Sequence, residues 1–515
     1  MVGLTEEEEG FVPPVTGSRR KRRLRRRIAV AAVVVLVVAG GVWGATVVLD
    51  TCGSLDSGVH EIDGDCVGVN DGSYVFHPSL ENIEAKIAAE NARVRGDKRG
   101  YVSIALLDPL TPNDRSALPP DQVRTRLEGA YTALRRINRE GVAGDPNPQI
   151  QLLLANEGGT EPQWSAVLDR LAELSTAKEH PLVAVAGLGV STARTQRHAE
   201  QLAEKRIPMV GAVLTADTLE YDRVPGLIKT SPSNRHYVAA LRDYLNTAGL
   251  RSAIMVRDSN SDEGFDLYTK TLEDDFQEQM GGLIHAETQQ FTGKSTASDD
   301  PPSLFGNVRA NICAAAGDKG IAVLYAGREI DFGDLLEALR GRVCNTTPLT
   351  ILTAGLELGE VLEGKDLAAA KLTVLNAATV DPRGWTAGEP GTPEYFPQFR
   401  EAFVAGFAEE DLADGGAIMM HDAVLAAASA IRLASPNGSA SNISPDRVRA
   451  QLLNLNTLFR VQGASGTLRF SKQPSGEGTG IPKDKPIPVL RYPGPQQVGR
   501  LCYVADAPDR VHCGP

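Results

Sequence analysis

Two kinds of side chain that could bind a ligand follow predicted strands. Ser191 and Thr192 stand at the start of a predicted helix, and Thr215 follows the next strand. Free N–H groups and the dipole at a helix N-terminus favour an anion such as a carboxylate. Ser261 and Asp331 follow later strands, where carboxylates predominate and suit a cationic group. A cleft with both preferences would bind a zwitterion. The alternative, that these residues are only helix caps and solvated loops, stays open.

Known catalytic patterns are missing from the sequence, which contains no HExxH, GxSxG or Walker A motif. Ser175 and Lys178 form an SxxK pair at a predicted helix end, without companion motifs. Gly187-Leu188-Gly189 is too short for a dinucleotide fingerprint, and the histidines lack metal-ligand spacing. His421-Asp422 lies on an apolar helix, where a packing role fits best. We therefore expect no catalysis, no cofactor and no metal.

The N-terminal region has the pattern of a membrane anchor. Residues 19–27 carry eight basic side chains, and residues 28–49 carry no charged one. A helix of that length rises roughly 33 Å, enough to cross the hydrocarbon core. Basic segments stay cytoplasmic, so we predict a cytoplasmic tail, 1–27, one transmembrane helix and an extracytoplasmic remainder in the cell membrane. A cleaved signal peptide and a lipid anchor at Cys52 are the alternatives. The apolar run is longer than a signal core, and Asp50-Thr51 is not typical before a lipidated cysteine.

Cysteine usage and charge agree with export. The six cysteines, an even set typical of an oxidising compartment, are Cys52, Cys66, Cys313, Cys344, Cys502 and Cys513. Sequence leaves their connectivity open; near neighbours would give Cys52–Cys66, Cys313–Cys344 and Cys502–Cys513. The net charge is −12, and residues 1–27 contribute +4, which leaves −16 outside. An acidic region without a clustered basic face argues against nucleic acid as a partner.

From about residue 98, apolar runs of strand length alternate with amphipathic helical stretches, a pattern typical of parallel sheets with crossover helices. The predicted strands are 101–107, 150–155, 182–186, 207–213, 253–256, 321–325 and 349–353. Val123, Leu127, Ala130 and Leu134 mark one face of the first crossover helix. About 400 residues exceed one comfortable core, so we predict an α/β protein with two lobes. The predicted domains are a spacer with a juxtamembrane helix (50–97), lobe 1 (98–231 and 356–450), lobe 2 (232–355 and 451–496) and a disulfide-clipped tail (497–515).

Six short landmarks in order resemble the type I periplasmic binding proteins, nearest the branched-chain amino acid and amide receptors of ABC transporters. They are Glu128-Gly129-Ala130 with Ile137-Asn138, Val185-Ala186-Gly187, Arg206-Ile207-Pro208-Met209-Val210, Ile228-Lys229-Thr230-Ser231-Pro232-Ser233, Leu324-Tyr325-Ala326-Gly327 and His421-Asp422-Ala423-Val424. The resemblance implies two lobes joined by three crossovers, with a ligand held by hinge closure.

For the site, the resemblance implies that Ser191 or Thr192 and Thr215 hold a ligand carboxylate, and that Asp331 holds its ammonium. The tyrosine expected in the first loop of lobe 2 is replaced near Ser261 or Asp262. We therefore expect a membrane-anchored solute-binding protein that clamps a small polar ligand, an amino acid or amide, beside ABC permease and ATPase subunits. The alternative is a receptor that signals to a separate partner, because the cytoplasmic tail is too short for an output domain. Oligomeric state stays open.

Overall fold

The computed structural model describes most of the chain after residue 57. The described residues are 52, 58–62, 64–113, 116–159, 164–262, 264–294, 305–317, 320–359, 361–362, 364–435, 437–470, 479–494, 498–505 and 510–514. The chain divides into an N-terminal unit, Met1–Ser54, of which only Cys52 is described, and a compact unit, Leu55–Pro515. The predicted tail 1–27 and transmembrane helix 28–49 lie outside the described residues and stay predictions.

Strands and helices alternate through the compact unit. The strands are β1 (Val59–Ile62), β2 (Asp65–Asn70), β3 (Tyr101–Asp108), β4 (Gln149–Asn156), β5 (Leu182–Gly187), β6 (Met209–Gly211), β7 (Leu227–Lys229), β8 (Ala253–Asp258), β9 (Gln289–Phe291), β10 (Ile321–Ala326), β11 (Leu349–Ala354), β12 (Leu372–Ala377), β13 (Val461–Gly463), β14 (Gly466–Leu468), β15 (Pro486–Tyr492), β16 (Val498–Val504) and β17 (Val511–Cys513). The helices are α1 (Glu81–Arg95), α2 (Pro120–Arg135), α3 (Trp164–Ser175), α4 (Ala193–Glu204), α5 (Asn234–Ala248), α6 (Leu267–Met280), α7 (Gly306–Ala316), α8 (Glu329–Arg340), α9 (Pro382–Thr386), α10 (Phe396–Val404), α11 (Gly416–Ala434) and α12 (Pro445–Arg449). All seven predicted strands are confirmed, with ends moved by no more than two residues.

The first sheet, in lobe 1, has the strand order β1-β2-β4-β3-β5-β6-β7. Strands β4, β3, β5, β6 and β7 are parallel, and they are apolar on both faces because helices cover both. Strands β1 and β2 form an antiparallel hairpin that extends the sheet through β4. The prediction of a spacer over 50–79 is therefore wrong for these strands, which are too short and too polar to stand out in sequence. Helix α1 packs on α2 and β4 as part of the lobe.

Helices α2 and α11 form a close pair in lobe 1. The predicted apolar face of α2 is buried, including Val123, Leu127 and Ala130. Gly129 is required at the crossing, because a side-chain carbon there would overlap the backbone of Ala417. The two backbones therefore touch, as glycine permits and a larger residue does not.

Helix α11 is also the one helix among the described residues that is long and apolar enough to span a membrane. However, 78% of its apolar window is buried inside the compact unit, where it packs on α2, β5 and β6. Its apolar sequence reflects this burial on all sides, which is the pattern of a core helix.

The second sheet, in lobe 2, has the order β17-β16-β15-β12-β11-β10-β8-β9. Its strands from β9 to β12 are parallel, and β15 to β17 continue it as an antiparallel meander. Two predicted boundaries are therefore wrong. Strand β12 was expected in lobe 1, and residues 497–515 were expected to be a separate tail, yet both belong to the lobe 2 sheet. The chain crosses between lobes after β7, after β12 and before β15.

Two of the near-neighbour disulfides are confirmed. Cys313–Cys344 joins α7 to the loop after α8, and Cys502–Cys513 joins facing residues of β16 and β17. Cys52 and Cys66 are disulfide-bonded as well. The described part of the chain has no free cysteine, as expected of a chain folded under oxidising conditions.

Glu84 on α1 gives a test of the lobe 1 packing. One carboxylate oxygen accepts a hydrogen bond from Phe76 N at 3.3 Å, and the other has no partner among the described residues. Burial raises the pKa of Glu84 to about 8, so the native state keeps this carboxyl neutral. An acid with a raised native pKa stabilises the fold below its unfolded pKa and loses that contribution as pH rises towards the native value.

We therefore expect Glu84→Gln, which mimics the neutral form, to gain stability relative to the native protein between pH 5 and pH 8, by up to about 1.4 kcal/mol for each pH unit. Urea unfolding at several pH values measures the difference, with Glu81→Gln at an exposed site on the same helix as the control. A difference between Glu84→Gln and the native protein that does not change with pH would contradict the assignment.

Candidate functional site

A cavity of about 740 Å³ opens between the two lobes. Its wall is built mainly from segments that follow β3, β5 and β6 in lobe 1 and β8, β10 and β11 in lobe 2. The carboxyl ends of both parallel sheets therefore meet here, as expected of a ligand site in open α/β folds. The volume lies within the range of small-molecule sites.

Ser191 accepts hydrogen bonds from groups of both lobes. Its hydroxyl accepts hydrogen bonds from the backbone N–H groups of Thr215 and Ala216, at 3.0 and 3.2 Å. Its carbonyl oxygen accepts from Tyr268 N at 3.1 Å and from Arg328 Nη2 at 3.2 Å, both in lobe 2. The side chain of Ser191 is buried and lines the cavity, with its hydroxyl hydrogen left to donate.

Thr215 also lines the cavity, whereas Thr192 does not. The backbone carbonyl of Thr215 accepts a hydrogen bond from Asn234 N at 2.8 Å, which anchors the loop to α5. Thr192 is the N-cap of α4, where its hydroxyl accepts from Thr195 N at 3.0 Å. The sequence left open whether Ser191 or Thr192 reaches the ligand site, and of these two only Ser191 lines the cavity.

Ser261 and Asp331 lie away from the cavity. The Ser261 hydroxyl donates to Asp258 O at 2.8 Å within the turn after β8. Asp331 is buried, and it accepts a hydrogen bond from Lys294 N at 3.0 Å. Burial, together with nearby Asp258, raises the pKa of Asp331 to about 6. Neither of these two residues lines the cavity, and the described carboxylates on its wall are different ones.

Those carboxylates are Glu329 and Glu357. Glu329 Oε1 accepts a hydrogen bond from Gln122 Nε2 of lobe 1 at 3.2 Å, and Oε2 accepts from Glu357 N at 3.0 Å. Glu329 thus links the lobes across the cavity wall. Burial and nearby Asp414 raise the pKa of Glu357 well above its usual range, against the opposing effect of Arg126.

Tyr268 supplies the aromatic wall that the sequence comparison left missing. It stands in the first turn of α6 and lines the cavity, and its hydroxyl donates to Ala354 O at 2.6 Å. Burial raises the pKa of this phenol, so it stays neutral. The guanidinium of Arg328 lies 5.5 Å from the ring centre and forms a two-point ion pair with Asp266, at 2.5 and 3.0 Å. The pairing compensates the charge of Arg328.

Arg126 is the buried cation on the lobe 1 side, and sequence reasoning missed it. Its side chain is 3% exposed, and Nη1 lies 3.4 Å from Gly189 O and 3.5 Å from Asp108 Oδ1. Nε has no hydrogen-bond partner among the described residues. A signal was available, because Gln122 and Arg126 are four residues apart and so share a helix face. That face lies next to the apolar one, at the helix end nearest the loops.

Comparisons with known proteins decide the fold. No protein-family model and no curated protein sequence matches the chain. Solved structures do match. The leucine-binding protein LivK of Thermotoga maritima is 15% identical, with a TM-score of 0.51, over 80% of this chain and 98% of that one. The branched-chain amino acid transporter substrate-binding protein LivJ of Streptococcus pneumoniae, in complex with isoleucine, is 14% identical, with a TM-score of 0.51, over 80% and 98%.

A solute-binding protein of an ABC transporter from Rhodopseudomonas palustris, in complex with 3,4-dihydroxybenzoic acid, is 15% identical, with a TM-score of 0.53, over 76% of this chain and 92% of that one. The chain has the type I periplasmic binding fold. At these identities the likeness establishes the fold and leaves the ligand to be argued from the cavity. The predicted resemblance and the two-lobed α/β architecture are confirmed.

Ser191 gives a test of how this type I periplasmic binding fold builds its cleft. Ser191→Ala leaves two buried N–H groups without their acceptor, so we expect it to lower the free energy of unfolding by about 1–3 kcal/mol. Chemical denaturation measures the loss. The matched control is Ser441→Ala, which removes an exposed serine hydroxyl far from the cavity in sequence. Equal losses in both variants would show that the Ser191 hydroxyl does not hold the two loops together.

Proposed function

We propose that the protein is a solute-binding protein that holds a small organic ligand between its lobes without transforming it. The observation that carries this proposal is the cavity at the facing ends of both sheets, with hydroxyl and charged groups from each lobe on its wall. Neighbours of the same fold bind leucine, isoleucine or 3,4-dihydroxybenzoic acid, according to their descriptions. A small molecule with a carboxylate suits the Ser191 and Thr215 hydroxyls.

The described cavity residues also offer no sign of nucleophilic catalysis. Among the described cavity residues, no nucleophile lies within hydrogen-bond distance of a histidine or another free base. The side chains instead lock loops and lobes together through Ser191, Glu329 and Arg328. This arrangement fits capture and release by hinge motion, which needs groups that contact each other only when the lobes are close.

Binding can be tested on the detergent-solubilised full-length protein by thermal shift against amino acids, amides, organic acids and sugars. A ligand at 100 times its Kd should stabilise the fold by about 2.7 kcal/mol. Thr215→Val, which keeps the shape and removes the hydroxyl, should weaken the hit at least tenfold. Thr247→Val, on the exposed surface of α5, should leave it unchanged. A panel without any hit, or equal affinity in both variants, would argue against this cavity as the binding site.

We further propose that residues 28–49 anchor the protein in the membrane, with the compact unit outside the cytoplasm. The charge pattern of residues 19–49 and the disulfides at Cys313–Cys344 and Cys502–Cys513 support this proposal. A tethered binder works beside a membrane partner, and permease and ATPase subunits of an ABC importer fit a fold shared with importer receptors.

The proposed topology predicts that protease added to intact cells digests the region after Asp50. Cleavage fragments detected with antibodies against the C-terminal residues measure it, and an abundant cytoplasmic protein serves as the control for cell integrity. A compact unit that is cut only after the cells are lysed would refute the topology.

A further inference from the structure

The charged groups on the cavity wall differ in how far their charge is already compensated. Arg328 pairs at two points with Asp266. Glu329 uses both carboxylate oxygens, one for Gln122 and one for the backbone of Glu357. Burial and Asp414 raise the pKa of Glu357, against the opposing effect of Arg126. Glu329 keeps its charge, but both of its oxygens already accept hydrogen bonds from protein groups.

Arg126 differs from these groups, because its Nε has no hydrogen-bond partner among the described residues. It lies in a buried position, and its nearest carboxylate oxygen, Asp108 Oδ1, is 3.5 Å away and already accepts a hydrogen bond from Gly189 N. Burial raises the pKa of Asp108, and the nearby Arg126 guanidinium opposes that rise. A buried N–H group without a hydrogen-bond partner is costly, and an oxyanion with two acceptor oxygens is a suitable partner for a guanidinium.

The neighbours of Arg126 suit the same oxyanion. Gly189, which its Nη1 approaches, is two residues before Ser191 on one loop, and Ser191 and Thr215 hydroxyls line the same cavity. On the opposite wall, Tyr268 offers a neutral ring. Lys365 adds another positive charge to the lining. The cavity thus pairs a cationic, hydroxyl-bearing side with an aromatic one.

We propose that the ligand is a small organic carboxylate without an ammonium group, held by Arg126 at its oxyanion and by Tyr268 at its apolar body. This inference rests on the proposed binding function and narrows its ligand class from amino acids to carboxylic acids. An amino acid would need an uncommitted carboxylate for its ammonium. Asp331, the residue predicted for that role, is buried outside the cavity, and Glu329 is already engaged across the lobes.

The experiment compares probes that differ only in the ammonium group. Isothermal titration of the full-length protein in detergent uses phenylalanine with 3-phenylpropanoate, and leucine with 4-methylpentanoate. We expect at least one deaminated acid to bind tenfold or more tightly than its amino acid. An amino acid that binds as tightly as its acid, or more tightly, overturns this inference and leaves the binding function intact. A neutral sugar or amide as the preferred ligand also overturns this inference and leaves the binding function intact. If nothing in the wider panel binds, the proposed binding function itself is contradicted.

Two charge-removing variants show whether the protein recognises the carboxylate or the ammonium group of a ligand. Arg126→Gln should weaken the carboxylate at least tenfold, with Arg126→Lys intermediate because it keeps the charge and loses the planar fork. Glu329→Gln should change affinity less than threefold, because the ligand has no ammonium to lose. Thermal unfolding without ligand confirms that each variant is folded. The reverse result, a large loss in Glu329→Gln and a small one in Arg126→Gln, would show that an ammonium is recognised instead.

Discussion

Four hydrogen bonds converge on Ser191, and the geometry of the cleft depends on them. Two reach its hydroxyl from the loop after β6, and two reach its carbonyl oxygen from lobe 2. The first pair fixes two lobe 1 loops in one position relative to each other. The second pair connects that position to Tyr268 and to the Arg328–Asp266 ion pair. A single buried residue thus sets both the shape of one wall and its distance from the other.

The arrangement of charge around the cleft follows from burial. Lobe 2 places Asp258 and Asp331 close together behind the wall, where burial raises the pKa of both. The acidic excess of the sequence is therefore not a guide to the sign of the cavity, because these carboxyls point away from it. On the proposed binding mode, a ligand meets Arg126 rather than these two acidic residues. What decides the field at the site is which groups are compensated.

The sequence predicted the parallel strands well, because strands covered on both faces are continuous apolar runs. It also placed Ser191 and Thr215 at the carboxyl edge of the lobe 1 sheet, where both line the cavity. A position directly after a parallel strand fixes which edge of the sheet a residue joins. Asp331 lies off the cavity wall for a geometric reason. Two residues along a helix turn a side chain by about 200°, so an alignment that is off by two exchanges the cavity face for the buried face. Glu329 takes the place expected for Asp331.

Other features were out of reach of the sequence for physical reasons. Tyr268 packs in the lobe 2 core and also lines the cavity, because the first turn of α6 lies next to the strand ends. The hairpin β1–β2 has too few apolar residues to separate it from a linker. The spacing of Gln122 and Arg126 indicates a shared helix face, but the sequence does not show which atoms of Arg126 are paired, and the distances to Asp108 and Gly189 are needed for that.

The meander β15–β17 has a consequence for how the protein comes to be folded. Strand β12, at residues 372–377, pairs with β15, at residues 486–492, and β17 closes the edge with a disulfide near the end of the chain. Lobe 2 cannot complete its sheet until these late segments have been synthesised and moved to where they fold. Contacts this far apart in sequence also slow folding. Until then the edge of β12 is unpaired, and an unpaired edge invites mispairing with other chains. Once the meander has paired, the Cys502–Cys513 bond links its last two strands.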